Sequence, residues 1–546
     1  MILVWCTVFM TRLRWLAAAL LTLPVGVACG SDVQEDAGTL EILQVNSGAS
    51  GVPDELEAPA PATLFEFVIN RARRLAQASY STIGAALPPV LANLSYDQYR
   101  SIRFRPEAAV WRGQSEFELQ MFHPVDLYDE PARIHLVDDD QISELAFDPM
   151  LFRYDGPAAA VSAVTTPDLG YAGFRIHYPL NDATIKDEVA VFLGSSYFRL
   201  LGGGHVYGLS SRGLAVDIGV SRDEEFPDFK EFWIVRPDAQ AAVLTLYALL
   251  DSPSVTGAYR LNLQPGLNTA LEVDARIFAR QDVAKLGVAP MSSMFLYDQN
   301  RRPWVDDFRA QVHDSDGVLV HTADDEWLWR PLNNGPGTQV TQLSEGTPRG
   351  FGLLQRDRSF DNYLDLEASY QRRPSEWVEV ENGDWGAGHV ELLTFETRTE
   401  FADNVAAYWV PSEPFRAGDE RRYRYRLVMF DSHLSTQSLA RVTRTRVGQD
   451  TLTGTPDGTL GGRRVFVVDF DGGNAIDMEG AQPVAVLATS SGQTSVLPVQ
   501  PLLDDNGWRA AFRFEPAGDE PANLRLHLEV DGRRLSETWS YRWYSQ

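Results

Sequence analysis

The stretch Ala242–Ala279, "AVLTLYALLDSPSVTGAYRLNLQPGLNTALEVDARIFA", decides how the chain is read. It holds three runs of about six to ten residues that alternate or stay apolar, with turn residues between them, which is the signature of consecutive strands. The signature recurs in "SEFELQMF", "PARIHLVD" and "KEFWIVRP". Strand and helix patterns do not alternate as a parallel nucleotide-binding sheet requires. The fold class is mainly β, and residues 63–412 are predicted to form one large antiparallel β-sandwich. Two helices are expected. Phe65, Val68, Ala72, Leu75 and Ala76 recur near helical spacing, and "DEVAVFLGSSYFRLLGG" is expected to form a second helix stopped by Gly202, Gly203 and Gly204.

The pattern breaks at "WVPSEPFRAGDERRY", where Pro411, Pro414 and Gly418 interrupt it, and resumes with "RYRYRLVMF". Residues 418–546 hold short strands such as "GRRVFVVDF", "QPVAVLAT", "GWRAAFRF", "NLRLHLEV" and "SETWSYRW". Their spacing predicts an immunoglobulin-like sandwich without the paired cysteines of antibody domains.

A chain of 546 residues exceeds one ordinary core, so two or more domains are expected. The formal charge of −27 argues against nucleic acid or an anionic membrane surface as partner. Lysine occurs only at 186, 230 and 285, and the scattered arginines read as coding bias rather than a phosphate site.

Residues 1–29 resemble a secretory signal peptide. Arg12 and Arg14 make a basic region, and Trp15–Ala28 is an apolar core too short for a comfortable membrane span. Cys29, between Ala28 and Gly30, resembles a lipoprotein processing site, although Gly26 is a poor match three residues earlier. Two products follow: a chain acylated at Cys29, or one cleaved elsewhere and soluble. Residues 30–62 are acidic, rich in small residues and Pro-punctuated, as in a flexible tether. Cys6 lies in the removed segment, so no internal disulfide is expected.

The run "LLGGGHVYG" lacks the Lys-Ser/Thr of a phosphate loop, and "GLSSRG" is not a nucleophile elbow. The nine histidines show no zinc spacing. No metal or cofactor is expected. What remains is carboxylates among aromatics. "QVHDSDGVLVHTADDEWLWRPLNN" (Gln311–Asn334) carries Asp314, Asp316, Asp324, Asp325 and Glu326 beside Trp327, Trp329 and Arg330. Arg356, Asp361, Tyr363, Asp365 and Glu367 follow, then Asp403, Tyr408 and Trp409. Aromatic faces stack on sugar C–H faces, and glycoside hydrolysis needs two carboxyl groups, one protonated and one charged. The residues alone leave a second reading open: solvated acidic loop tips with tryptophans in a sandwich core.

The motifs "EFPDFKEFWI", "MSSMFLYDQN", "VHDSDG", "EWLWRPLNN", "GFGLLQRDRSFDNYLDLEASYQRRPSEWV", "DNVAAYWVP" and "LSETWSYRW" resemble the periplasmic glucans biosynthesis family (MdoG/OpgG and OpgD type), from about Phe65 to the C-terminus. The resemblance implies a large carbohydrate-processing sandwich, a smaller immunoglobulin-like domain, and a role in making osmoregulated periplasmic glucans, which are β-1,2-linked glucose polymers. It also implies an anomer-inverting endo-β-1,2-glucanase with Asp403 as general acid and Asp314 as general base. Trp327, Trp329, Arg330, Arg356, Tyr363, Tyr408 and Trp409 are the candidate glucan-contacting residues. The expected partners are β-1,2-glucan and a membrane glucosyltransferase, and the expected location is the periplasm, with or without a lipid anchor. The alternative is a non-catalytic glucan-binding scaffold that assists the transferase.

Overall fold

The computed structural model describes residues 61–545, apart from 82–86, 126–130, 140, 164–168, 221–222, 303–305, 382–384, 433, 435, 452–458, 472–481 and 504–506. The signal segment, Cys29 and the tether up to residue 60 lie outside the described residues.

Two large sheets face each other across the main core. The smaller runs, in spatial order, Glu118–Phe122, Gly173–Asp182, Ile185–Leu193, Tyr197–Leu200, Ser210–Arg212, Leu286–Ser293, Val405–Pro411, Gly388–Phe395 and Thr338–Gln342. The larger contains the strands that open the sequence reading, now bounded as Leu244–Asp251, Val255–Gln264 and Ala270–Ala279, paired antiparallel in chain order. Leu244, Leu246, Ala248 and Leu250 point into the inter-sheet core. Tyr247 and Leu249 point the other way, under helix Pro61–Ala76, whose Leu64, Val68, Ile69 and Ala72 cover them together with Trp233, Ala258 and Phe278. A strand buried on both faces reads as an apolar run rather than an alternation. Each fully buried Leu or Val here contributes about 1.5–3 kcal/mol.

The helix expected over residues 187–204 is instead a pair of antiparallel strands, Ile185–Leu193 and Tyr197–Leu200. Gly194 and Ser195, both at positive φ (76° and 44°), turn the chain between them. A short apolar run packed on both sides has no period that separates helix from strand, and here the turn decides.

The boundary expected between 412 and 418 is also displaced. Strand Glu420–Phe430 lies inside the larger sheet, between Ala270–Ala279 and Ser375–Val380. The Pro/Gly break turns the chain back into the same sheet, and the second sandwich begins after Phe430. One of its sheets holds Arg441–Thr451, Thr459–Asp471, Gly507–Glu515 and Gln493–Val496, with Gln500–Pro501 on Gly507–Glu515. The other, Val484–Thr489, Ala522–Val530 and Thr538–Trp543, is continuous with the larger sheet, because Leu328 and Trp329 pair in parallel with Thr538 and Trp539. Phe466, Val468, Phe470, Phe512, Phe514, Leu524, Leu526 and Trp539 fill this second core.

Candidate active site

The two carboxylates singled out from the sequence are brought together by one segment, Phe295–Tyr297. Phe295 pairs with His313 on the short strand Val312–His313, which places Asp314 next in line. His313 is buried between the side-chain oxygens of Gln311 and Gln355, each 2.8 Å from a ring nitrogen, and stacks on Phe295. The Asp314 N–H donates to the Met294 carbonyl at 2.8 Å. From the other side, the Phe295 N–H donates to Asn404 Oδ1 at 2.9 Å, while Asn404 Nδ2 donates to the Phe395 carbonyl at 2.9 Å. Asn404 is buried and fixes the residue before it, Asp403, at the head of strand Val405–Pro411.

Asp314 is buried and ion-paired to Arg373. Burial pushes its carboxyl up to about 6. Arg373 opposes that rise, the Asp403 charge adds to it and Arg199 opposes it. Asp403 is half-buried by accessible surface, yet loss of hydration is still the largest influence and raises it, against the pull of Arg199, Arg212 and Arg373. Both arginines on the smaller sheet are anchored from behind. Arg199 Nε donates to Ser210 Oγ at 2.7 Å. Arg212 donates to Ser292 Oγ at 3.0 Å and Glu224 Oε1 at 2.7 Å, with its guanidinium 4.7 Å over the Tyr197 ring. The result is a pair of electrostatically coupled carboxylates among three fixed cations. Two acids in such a pair are driven toward different protonation states. Among the described residues, no group of three or more His, Cys, Asp or Glu side chains is placed to hold a metal ion.

Sequence reasoning missed Arg199, Arg212 and Arg373. Arg199 sits in the stretch expected to be helical, and Arg212 sits in "GLSSRG", weighed only as a nucleophile turn.

The seven candidate glucan-contacting residues have these surroundings. Trp327 stacks between His321 (3.9 Å) and Trp377 (5.8 Å), and Trp329 lies under the Arg356 guanidinium at 3.7 Å, both within the second core. Arg330 is buried against the last strand, donates to Ser540 Oγ at 3.3 Å and is lowered to about 10 by burial. Arg356 pairs with Glu537. Tyr363 is fully buried and donates to the Asp357 carbonyl at 3.1 Å. Tyr408 is buried and donates to Glu391 Oε1 at 2.7 Å, while Trp409, on the opposite face of the same strand, is buried in the main core. Trp327 and Trp329 are buried in the second core, and Trp329 also lines a pocket with Asp316 and Asp357.

These features define a class: a two-sandwich β-protein with two neighbouring carboxylates set among arginines. The family follows from comparison. Residues 64–543 match the family model described as "Periplasmic glucan biosynthesis protein, MdoG". Glucans biosynthesis protein G of Shewanella frigidimarina is 44% identical over 480 residues, covering 87% of this chain and 84% of the relative. The protein of the same name in Vibrio cholerae is 41% identical over 482 residues, covering 87% and 86%. The chain belongs to the periplasmic glucan biosynthesis family, in agreement with the resemblance carried by its motifs. Among the described residues no helix is long and apolar enough to cross a membrane.

Proposed function

We propose that this protein is an anomer-inverting endo-β-1,2-glucanase acting in periplasmic glucan biosynthesis, with Asp403 as general acid and Asp314 as general base. The observation that carries the reading is the placement of the two carboxyls close together among arginines, with Asp314 clamped by Arg373 and Asp403 set at the head of its strand by Asn404. Asp314, ion-paired to Arg373, is the one held ionised near neutral pH. Asp403, whose carboxyl burial raises, takes the acid role that the motif resemblance implies. In the step, Asp403 gives its proton to the leaving glycosidic oxygen as the bond to the anomeric carbon breaks. A water oxygen bonds that carbon from the opposite face, and its proton passes to Asp314 through water and substrate hydroxyls. Separate acid and base with a water between them is the inverting arrangement.

The names of the relatives speak of glucan biosynthesis, which favours a second reading: a scaffold that binds glucan and assists a membrane glucosyltransferase. Incubating the mature protein with linear β-1,2-glucan separates the two. Shortening of the chains, with inversion followed by proton NMR of the new reducing ends, supports the hydrolase. Unchanged chains sink it and leave the scaffold.

A further inference from the structure

The loop that delivers Arg373 to Asp314 is held in place by a guanidinium that touches neither of them. Arg309 Nη1 donates to Asp365 Oδ2 at 2.9 Å and to Glu400 Oε2 at 2.8 Å, and Arg309 Nη2 donates to Asp307 Oδ2 at 2.8 Å. Two routes lead from there to Arg373. Along the first, the Tyr370 hydroxyl donates to Glu400 Oε2 at 2.5 Å, and the Arg373 guanidinium lies 4.3 Å over the Tyr370 ring. Along the second, Asp365 Oδ1 accepts from the Glu367 and Ala368 N–H groups, and the Ala368 carbonyl accepts from Arg373 Nε at 3.3 Å. The loop needs such a restraint, because Leu364 and Ser369 both sit in the left-handed region (φ 56° and 46°), where L side chains are strained. Arg309 is mostly buried, and three carboxylates on one planar fork fix its geometry.

We infer that Arg309 is a positioning residue for the carboxylate of Asp314, acting through the Glu400–Tyr370 and Asp365–Ala368 arms on Arg373. The functional consequence rests on Asp314 being the base; the positioning itself does not. Asp314 is faced by Arg373, Arg199 and Asp403. The knot around Arg309 is faced by Asp307, Asp365, Glu400 and Tyr370, with Arg302 donating to the Asp307 carbonyl at 3.0 Å.

Two variants separate position from charge. Arg309→Lys keeps the cation but cannot fork to three carboxylates. Glu400→Ala removes a negative charge, which by relief of Coulomb repulsion alone would make Asp314 a stronger acid, whereas a loosened Arg373 makes it a weaker one. The readout is the titration of Asp314 by carboxyl carbon NMR of aspartate-labelled full chain, assigned with Asp314→Asn, beside the pH profile of glucan turnover. Losing an adjacent guanidinium shifts a carboxyl by roughly one pH unit or more. Both variants are therefore expected to move the Asp314 midpoint upward by about that much, and the acid limb of turnover with it. If Arg309→Lys titrates as the wild type, or Glu400→Ala moves the midpoint downward, the inference is overturned. Should Arg309→Lys fail to fold, Glu400→Ala alone decides by its sign. A wild type that leaves glucan uncut, with variants that still move the midpoint upward, overturns the proposed reaction and leaves the positioning role standing.

Discussion

Arg356 and Glu537 meet in a two-pronged, almost fully buried ion pair across the junction of the two sandwiches, Nη2 to Oε1 at 2.6 Å and Nη1 to Oε2 at 2.8 Å. Glu537 also accepts from the Val442 N–H at 2.9 Å and from Gln437 Nε2 at 2.5 Å. Glu537→Gln leaves a buried guanidinium without its counter-charge. The expected loss of stability is about 3–5 kcal/mol, read from urea melts; a loss under about 1 kcal/mol would show that the junction does not depend on this pair.

Trp329→Ala tests the packing role directly. The ring is buried, and a Cβ placed on Gly317 would lie 2.2 Å from it. Truncation is expected to cost about 3–5 kcal/mol while leaving glucan affinity unchanged. Calorimetric titration with β-1,2-glucan checks this, and a tenfold weaker affinity in a folded variant would return Trp329 to the binding site.

For the reaction, Asp403→Asn is expected to lower turnover by about 10²–10⁴-fold and to leave glucan binding intact, because the amide keeps the shape but delivers no proton. Asp314→Asn should do the same. The wild-type rate should fall as pH drops through about 6, where Asp314 takes up its proton. A stopped-time product assay across pH 4.5–8 measures both, and a variant as fast as the wild type removes that residue from the mechanism.

Glu376 makes a separate pH prediction. It is fully buried between the sheets, hydrogen-bonded to Ser211, and burial raises its carboxyl to about 8. The folded state therefore holds a proton that the unfolded chain, titrating near about 4.3, has already lost. The associated stability is complete below that lower value and drains away as pH rises toward about 8. Glu376→Gln should gain on the wild type progressively between pH 5 and 8 in denaturant melts. A pH-independent difference would mean that Glu376 ionises normally.

If Cys29 is the processing site, Cys29→Ser should shift the protein from the membrane to the soluble fraction of cells. A single acyl chain binds a bilayer only marginally, so the anchor requires several. Identical fractionation of the two proteins would identify a soluble periplasmic product.

Individual strands were legible in the sequence because one-face or two-face burial imposes a visible pattern on Leu244–Asp251 or Ala522–Val530. Their neighbours were not. That Glu420–Phe430 returns between Ala270–Ala279 and Ser375–Val380 depends on pairings between distant segments, and Pro414 and Gly418 mark only a turn. The site was legible as two acids through motif resemblance. Arg199, Arg212 and Arg373 carry no local signal, since arginine is spread throughout this chain and only the fold selects these three. The tryptophans were ambiguous because one residue type serves both core packing and sugar stacking, and burial is invisible until the sheets are assembled.

The parallel pairing of Leu328 and Trp329 with Thr538 and Trp539 bears on how the chain acquires its shape. Strand Trp327–Pro331 has Gly317–His321 on one side, and its other side is closed by residues from the far end of the sequence. Until those residues emerge, at the ribosome or at an export channel, the larger sandwich keeps a bare strand edge, the kind of surface that recruits other chains. Completing that sheet is thus a late, long-range closure of the kind that slows folding, and a chain cut short before Ser536 would carry the open edge permanently.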